Sequence, residues 1–438
     1  MYSSEDRKKP VTLLSATLLV IANMIGTGVF TTLGLQLSAV HSLPSVLLLW
    51  IAGGASAICG ALAYGELGAM MPRSGGEYAY LAGIYHPAAG FLSGCASIVA
   101  GFGAPIALAA IALGYYMQAV FPEINKTAAG VSAIVLLTLI HLVDVRFGCQ
   151  FQNVVTAGKI LLIAVFIAAG FLTAHPQPIA LWQTQEFGAI FSPAFAVGLV
   201  YVSYAYSGWN ASAYVAGEIP RPERNLPISL FWGTLFVSVC YILLNFIFLY
   251  TVPVRELTGR IDIAYLSAEA VFGGIGARIV TLLICLALVS NLSSMIMAGP
   301  RVTQAMGEDI GFLRVFAQKN RRGAPAYAIL LQSSVALLLA LTSAFDAILT
   351  YVGFTLTLFA SMTVLGVFVM RVRRPAIKRP FKMWGYPVTP AFYLLLNGWM
   401  LCYLLVERPF PSAVGLLTVG SALLLYGLAQ RGKNNPSS

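Results

Sequence analysis

Lys159 lies about 12 residues into the apolar run 147–173, "FGCQFQNVVTAGKILLIAVFIAAGFLT", and three other polar interruptions accompany it in the chain. They are Gly26, Thr27 and Gly28 in "NMIGTGVF", Ser207, Gly208 and Asn210 in "YAYSGWNAS", and Ser290, Ser293 and Ser294 further on. No nucleophile stands beside a base in this set, and the chemistry it offers is recognition. Glycine weakens a helix by about 1 kcal/mol relative to alanine, and Ser and Asn compete with the backbone for hydrogen bonds, so both short motifs favour unwinding. A helix interrupted at Gly26 to Gly28 bares N–H groups where its outer half starts and carbonyls where its inner half ends. An anion suits the first and a cation the second, so a small zwitterion completes both.

The lysine asks for acceptors. Twelve residues of helix are about 18 Å, too deep for easy snorkelling, and an ammonium near a bilayer centre costs at least ~2.5 kcal/mol. Lys159 is therefore expected beside the carbonyls of the first break and Ser293, with Ser290 on the same helix face, where a sodium-coupled carrier would hold its metal ion. Sodium independence follows as an expectation.

The elements that must position these groups are apolar helices. Of 438 residues 58% are hydrophobic and 10% charged, against about 25% charged in a soluble domain. Mean hydropathy is +0.82. Runs long enough to cross ~30 Å of hydrocarbon recur about twelve times, at 11–38, 44–71, 88–120, 127–145, 147–173, 193–217, 227–251, 270–306, 326–344, 347–371, 388–406 and 412–430. They are too long and too uniformly apolar for the alternating strands of a β-barrel. The first run exceeds a signal-peptide core and is expected to be retained. The expected class is an all-α integral membrane protein.

The net charge of +10 reports topology. With the tail 1–10 cytoplasmic, twenty Lys and Arg fall inside, five fall outside (Lys126, Arg255, Arg260, Arg278 and Arg408), and Lys159 belongs to neither side. Both termini are expected in the cytoplasm, at the cell membrane, and a nucleic-acid partner is disfavoured. The six cysteines show no CxxC spacing and read as small core residues, and the four scattered histidines argue against a metal site. A membrane enzyme would need His, Asp, Glu or Cys groups converging at one depth, and Glu66, Asp144 and Glu218 all fall near cytoplasmic helix ends. No cofactor is expected.

The two breaks fall in the first and sixth crossings, about 180 residues apart, so each opens a block of five. Five is odd, and the second block enters from the opposite side, which gives inverted repeats over 11–175 and 190–372 with the site between them. Crossings within 386–431 lie outside the repeat, and 432–438 forms a second tail. No acidic group lies near the midplane, so a neutral substrate side chain fits best. Thr27, Ser207, Thr355 and Thr357 favour a small one.

Seven stretches carry a resemblance over nearly the whole chain: "IGTGVF" (25–30), "YGELGAMMPRSGGEYAYL" (64–81), "TAGK" (156–159), "YAYSGWN" (204–210), "EIPRPERNLP" (218–227), "AGPR" (298–301) and "RPFK…GYP" (379–387). The sequence resembles the amino acid–polyamine–organocation superfamily, most closely bacterial L-type amino acid transporters. That resemblance implies the five-plus-five fold of the bacterial leucine transporter, with two further helices and alternating-access transport of amino acids, commonly by exchange. It implies that amides around Gly26, Thr27 and Gly28 bind the substrate carboxylate, and that carbonyls near Met24, Ile25, Tyr204, Ala205 and Ser207 take the ammonium. Gly208 completes the second break, Asn210 matches a polar family residue near the site, and Lys159 matches the family's lysine on the fifth helix. Animal members tether an accessory glycoprotein through a cysteine between helices three and four, and "FPEINK" (121–126) has none, so no disulfide-linked partner is expected.

Overall fold

A computed structural model describes residues 11–40, 42–143, 148–172, 177, 190, 192–321 and 323–434. The basic tail with Arg7, Lys8 and Lys9, the pair Asp144 and Arg146, Arg322, and the terminal residues 435–438 lie outside the described residues. Among the described residues there is no strand.

The helices follow from long apolar stretches with polar starts. α1 (Leu13–Met24) begins where the Thr12 hydroxyl accepts from Ser15 N at 3.1 Å. After α2 (Thr27–Leu37), α3 (Leu43–Met70) opens in the same way on Ser42, with proline in its first turn. A short α4 (Glu77–Ile84) and α5 (Pro87–Ala96) lead into a π-helical turn at Ser97–Gly103 and then α6 (Ala104–Val120). α7 (Lys126–Val143) and α8 (Gly148–Phe171) end the first half. The second half holds α9 (Pro193–Tyr206), a 3-10 segment (Ala211–Glu218), α10 (Pro222–Thr251), the single turn α11 (Val254–Leu257), α12 (Ile263–Asp309), α13 (Ala326–Thr342) and α14 (Phe345–Arg373). α15 (Val388–Glu407) and α16 (Pro409–Asn434) close the chain.

Among the described residues nine helical spans are long and apolar enough to cross a membrane, with α1 and α2 counted together and α5 continued through α6; Val155–Phe171 and Ala326–Thr342 are shorter apolar stretches. Two expectations shift, in the third and eighth runs. The third run, 88–120, is interrupted by the π turn, a widening the apolar pattern does not signal. The eighth extends to 263–309 and bends at Gly273, whose φ of +72° only glycine adopts freely. The sixth stops being α-helical at Tyr206.

The core forms by reciprocal packing: α3 runs along α10, α1 lies on α10 and α9 on α3, α6 faces α12, and α7 faces α13. α8 rests on α12, and α14 rests on α6 and α9. At the outer end of α2 the Gly34 carbonyl accepts from Gly259 N at 2.8 Å, and a side chain at Gly34 would overlap the Arg260 carbonyl and come within 2.7 Å of that of Leu257. The cysteines correct one expectation: Cys59 and Cys285 are buried, Cys95 and Cys240 half-buried, and Cys402 is exposed. On a helix whose outward face is itself apolar, a small soft residue needs no interior position.

Glu66 does more than cap a helix end. Its carboxylate accepts two bonds from Arg371, at 2.9 and 2.6 Å, and one from Met383 N at 2.8 Å, joining α3, α14 and the connection behind α14. Arg371 also lies over the Tyr386 ring, 3.7 Å from its centroid. Charge-assisted bidentate pairs are strong and sensitive to geometry. Replacing Glu66→Gln is expected to lower stability by about 2 kcal/mol, read as a fall in the thermal unfolding midpoint of purified protein.

Candidate functional site

The first break occupies two residues. Ile25 leaves helical geometry at ψ 81°, and Gly26 follows at φ −125°, ψ −145°. Gly26 N turns back to the Met24 carbonyl at 2.7 Å. α2 then starts at Thr27 with no side chain capping its first amides. Met24 and Ile25 are both buried, so their carbonyls need protein donors or a ligand. The Tyr241 hydroxyl from α10 donates to Met24 O, and the Lys159 ammonium from α8 donates to Ile25 O at 3.2 Å.

The second break starts where Ser207 N donates to Tyr204 O at 2.9 Å and Ser207 swings to ψ 147°. Gly208 takes φ +97°, and the place where its Cβ would stand is 2.8 and 2.9 Å from the carbonyl carbon and oxygen of Asn23. Positive φ and close backbone approach both demand glycine there. In the first turn of α2, the Cβ position at Gly28 overlaps the Cα of Ala205 and lies 2.7 Å from its Cβ. The two interruptions thus touch, Gly208 against Asn23 and Gly28 against Ala205.

This brings together Met24, Ile25, Gly26, Thr27, Gly28, Tyr204, Ala205, Ser207, Gly208 and Lys159. Two expected residues, Ser293 and Asn210, take other partners. The Ser293 hydroxyl pairs with His141 Nε2 of α7 at 2.8 Å. Three serines on one helix face fit more than one neighbour, and a buried imidazole was the better-placed one. Ser290 is fully buried, and its carbonyl accepts from the Ser294 hydroxyl at 2.9 Å. The Asn210 amide donates to Glu77 Oε1 at 3.1 Å. Thr355 faces α16, 3.0 Å from where a Cβ on Gly415 would stand.

Four residues at or near the site escaped sequence reasoning: Tyr241, Asn291, His141 and Glu77. Asn291 is buried on α12, its Nδ2 2.9 Å from the Cβ position at Gly26. Its signal was available, since an asparagine in an apolar run needs partners just as Lys159 does. Tyr241 carried none that separates it from other aromatics. Among the described residues no group of His, Cys, Asp and Glu could hold a metal ion.

Helix ends facing one another inside a bundle of apolar helices define a multi-pass membrane permease rather than an enzyme. The chain belongs to the amino acid permease family, whose sequence profile matches residues 11–425. It is 28% identical to the human b(0,+)-type amino acid transporter 1, over 96% of this chain and 88% of that protein. It is also 28% identical to the mouse Asc-type amino acid transporter 1, over 97% and 82%. The rat large neutral amino acids transporter small subunit 2 is 29% identical, over 98% and 82%.

Proposed function

We propose that this protein is a sodium-independent secondary transporter of neutral L-amino acids, working by alternating access as an exchanger or facilitator in the cell membrane, with both termini cytoplasmic. The observation that carries this reading is the Lys159 ammonium, 3.2 Å from the Ile25 carbonyl at the first break. A fixed cation there completes a carbonyl that a sodium ion would otherwise complete. The substrate carboxylate goes to the amides around Gly26, Thr27 and Gly28, of which that of Gly26 turns back to the Met24 carbonyl, and its ammonium to the carbonyls around Tyr204, Ala205 and Ser207. Among the described residues, Lys159 and Glu77 apart, the side chains that meet at the breaks are uncharged, which favours an uncharged substrate side chain. The rat relative is named for large neutral amino acids.

Twelve crossings in two inverted blocks of five plus two fit the packing. Swapping the blocks turns the α1–α10 contact into α9–α3 and α8–α12 into α14–α6, while α3–α10, α6–α12 and α7–α13 map onto themselves. The break after Tyr206, continued by the 3-10 segment, supplies the crossing that length alone misses. With no cysteine in 121–126, the protein works without a disulfide-linked accessory subunit.

The test is uptake of labelled alanine, serine and leucine into proteoliposomes, with and without internal amino acid, sodium and a pH gradient. Uptake that needs internal amino acid and ignores sodium is the expected result. A sodium requirement would overturn the role given to Lys159. Uptake driven by a pH gradient alone would favour proton-coupled symport, a second reading for which Glu77 gives specific grounds. Amino acid binding without movement in any condition would make the protein a membrane sensor.

A further inference from the structure

The connection between α3 and α4 clasps the inner half of the sixth crossing. Gly75 N donates to the Tyr214 carbonyl at 3.1 Å, and Gly217 N donates to the Ser74 hydroxyl at 3.0 Å. Gly76, at φ +54°, lies against the Tyr214 ring, which a Cβ would approach to 2.8 Å. At the centre of this clasp is Glu77, 5% exposed at the start of α4 and outside the spanning helices. Its Oε1 accepts from the Tyr64 hydroxyl at 2.6 Å and from Asn210 Nδ2 at 3.1 Å.

The groups that face Glu77 are all neutral donors or phenols: Tyr64 from α3, Asn210 from the second break, Tyr214 from the 3-10 segment and Tyr393 from α15. Among the ion pairs of the described residues, none includes Glu77. An ionised carboxylate buried with neutral partners alone is costly, and such a group either takes up a proton or reaches water.

We propose that Glu77 is a proton-binding site of the carrier, protonated while the clasp is closed and releasing its proton to water when the inner half of the sixth crossing parts from residues 74–77. This rests on the permease reading and gives that site a second cargo, the proton. The step is a simple ionisation, carboxylic acid to carboxylate, with the proton passing to inner solvent. Burial outweighs the hydrogen bonds from Tyr64 and Asn210 and pushes the Glu77 carboxyl up from 4.5 to about 7. The closed clasp therefore holds the proton more tightly than a hydrated one. By linkage, its advantage is complete below about 4.5 and disappears as pH rises through about 7. Rising inner pH favours opening, and Asn210 carries the event to the break it belongs to.

The experiment uses full-length protein in two readouts. In proteoliposomes, homo-exchange of labelled alanine, serine and leucine is followed from about pH 5.5 to about pH 8.5 on both sides, a span that brackets the titration. In detergent, the emission of Trp209, whose ring meets the Tyr64 ring edge-on at 4.7 Å, is isolated by difference against Trp209→Phe. Wild-type exchange is expected to rise about three-fold or more through neutral pH, and Trp209 emission to step with it. Glu77→Gln, a mimic of the neutral acid, holds both at their acid values at every pH, and its acid-form emission shows that it is folded. A Glu77→Gln profile that titrates like wild type would overturn the proposal, as would wild-type emission that does not change with pH. An emission step that Glu77→Gln abolishes, in vesicles that exchange nothing at any pH, leaves the proton site standing and removes the exchange reading alone.

Discussion

Gly28→Ala is expected to cut amino acid transport by about 100-fold, the equivalent of about 2.7 kcal/mol. The added methyl overlaps the Cα of Ala205, so it meets backbone and no side chain can turn aside. Overpacking of this kind costs roughly 1–3 kcal/mol and is relieved here only by moving α2 off α9, which spreads the two breaks apart. Gly158→Ala is the matched control. It neighbours Lys159 in sequence, yet nothing lies within 4 Å of its Cβ position, and its exchange rate should equal wild type. Both variants are read by counterflow in proteoliposomes with the amount of folded protein normalised by size-exclusion chromatography. A Gly28→Ala protein that exchanges at the wild-type rate removes the contact between the outer half-helices from the mechanism.

Lys159→Met separates the lysine's electrostatic part from its packing. Methionine keeps much of the side-chain length and deletes the charge that meets Ile25 O. Deleting the donor leaves the buried Ile25 carbonyl without its lysine partner, which costs about 1–3 kcal/mol, so the thermal midpoint should fall. Exchange is expected to fall by about 100-fold, because a hydrogen bond from a charged donor is worth about 1.5–3 kcal/mol. Lys159→Arg should fail as well, since a planar fork cannot replace a compact ammonium at a single carbonyl. A Lys159→Met protein that transports normally would reduce the contact to packing.

The apolar runs, the two interruptions and Lys159 were legible because each is a local violation: a glycine, a serine or a charge where the bilayer should want none. The partner of Lys159 was legible too, since Ile25 O is the acceptor that the broken helix exposes. Glu77 was not. It lies in a polar connection, where an acidic residue is unremarked, and its burial is made by Tyr64, 13 positions away, and Asn210, 133 away. The Ser293–His141 pair spans 152 positions and likewise needed the packing of α7 on α12. At the end of the π turn in the third crossing, Gly103 lies against Val335 of α13, again a fact of neighbours.

The join at Gly34 makes two segments mechanically one. Because Gly259 N holds its carbonyl and the Leu257 and Arg260 carbonyls fill the space beside it, whatever displaces the top of α2 must drag residues 257–260 along. The tether after α10 is then a strut. A cross-linker or antibody fragment that immobilises that corner would freeze the first helix at a distance, with no atom placed in the substrate's path.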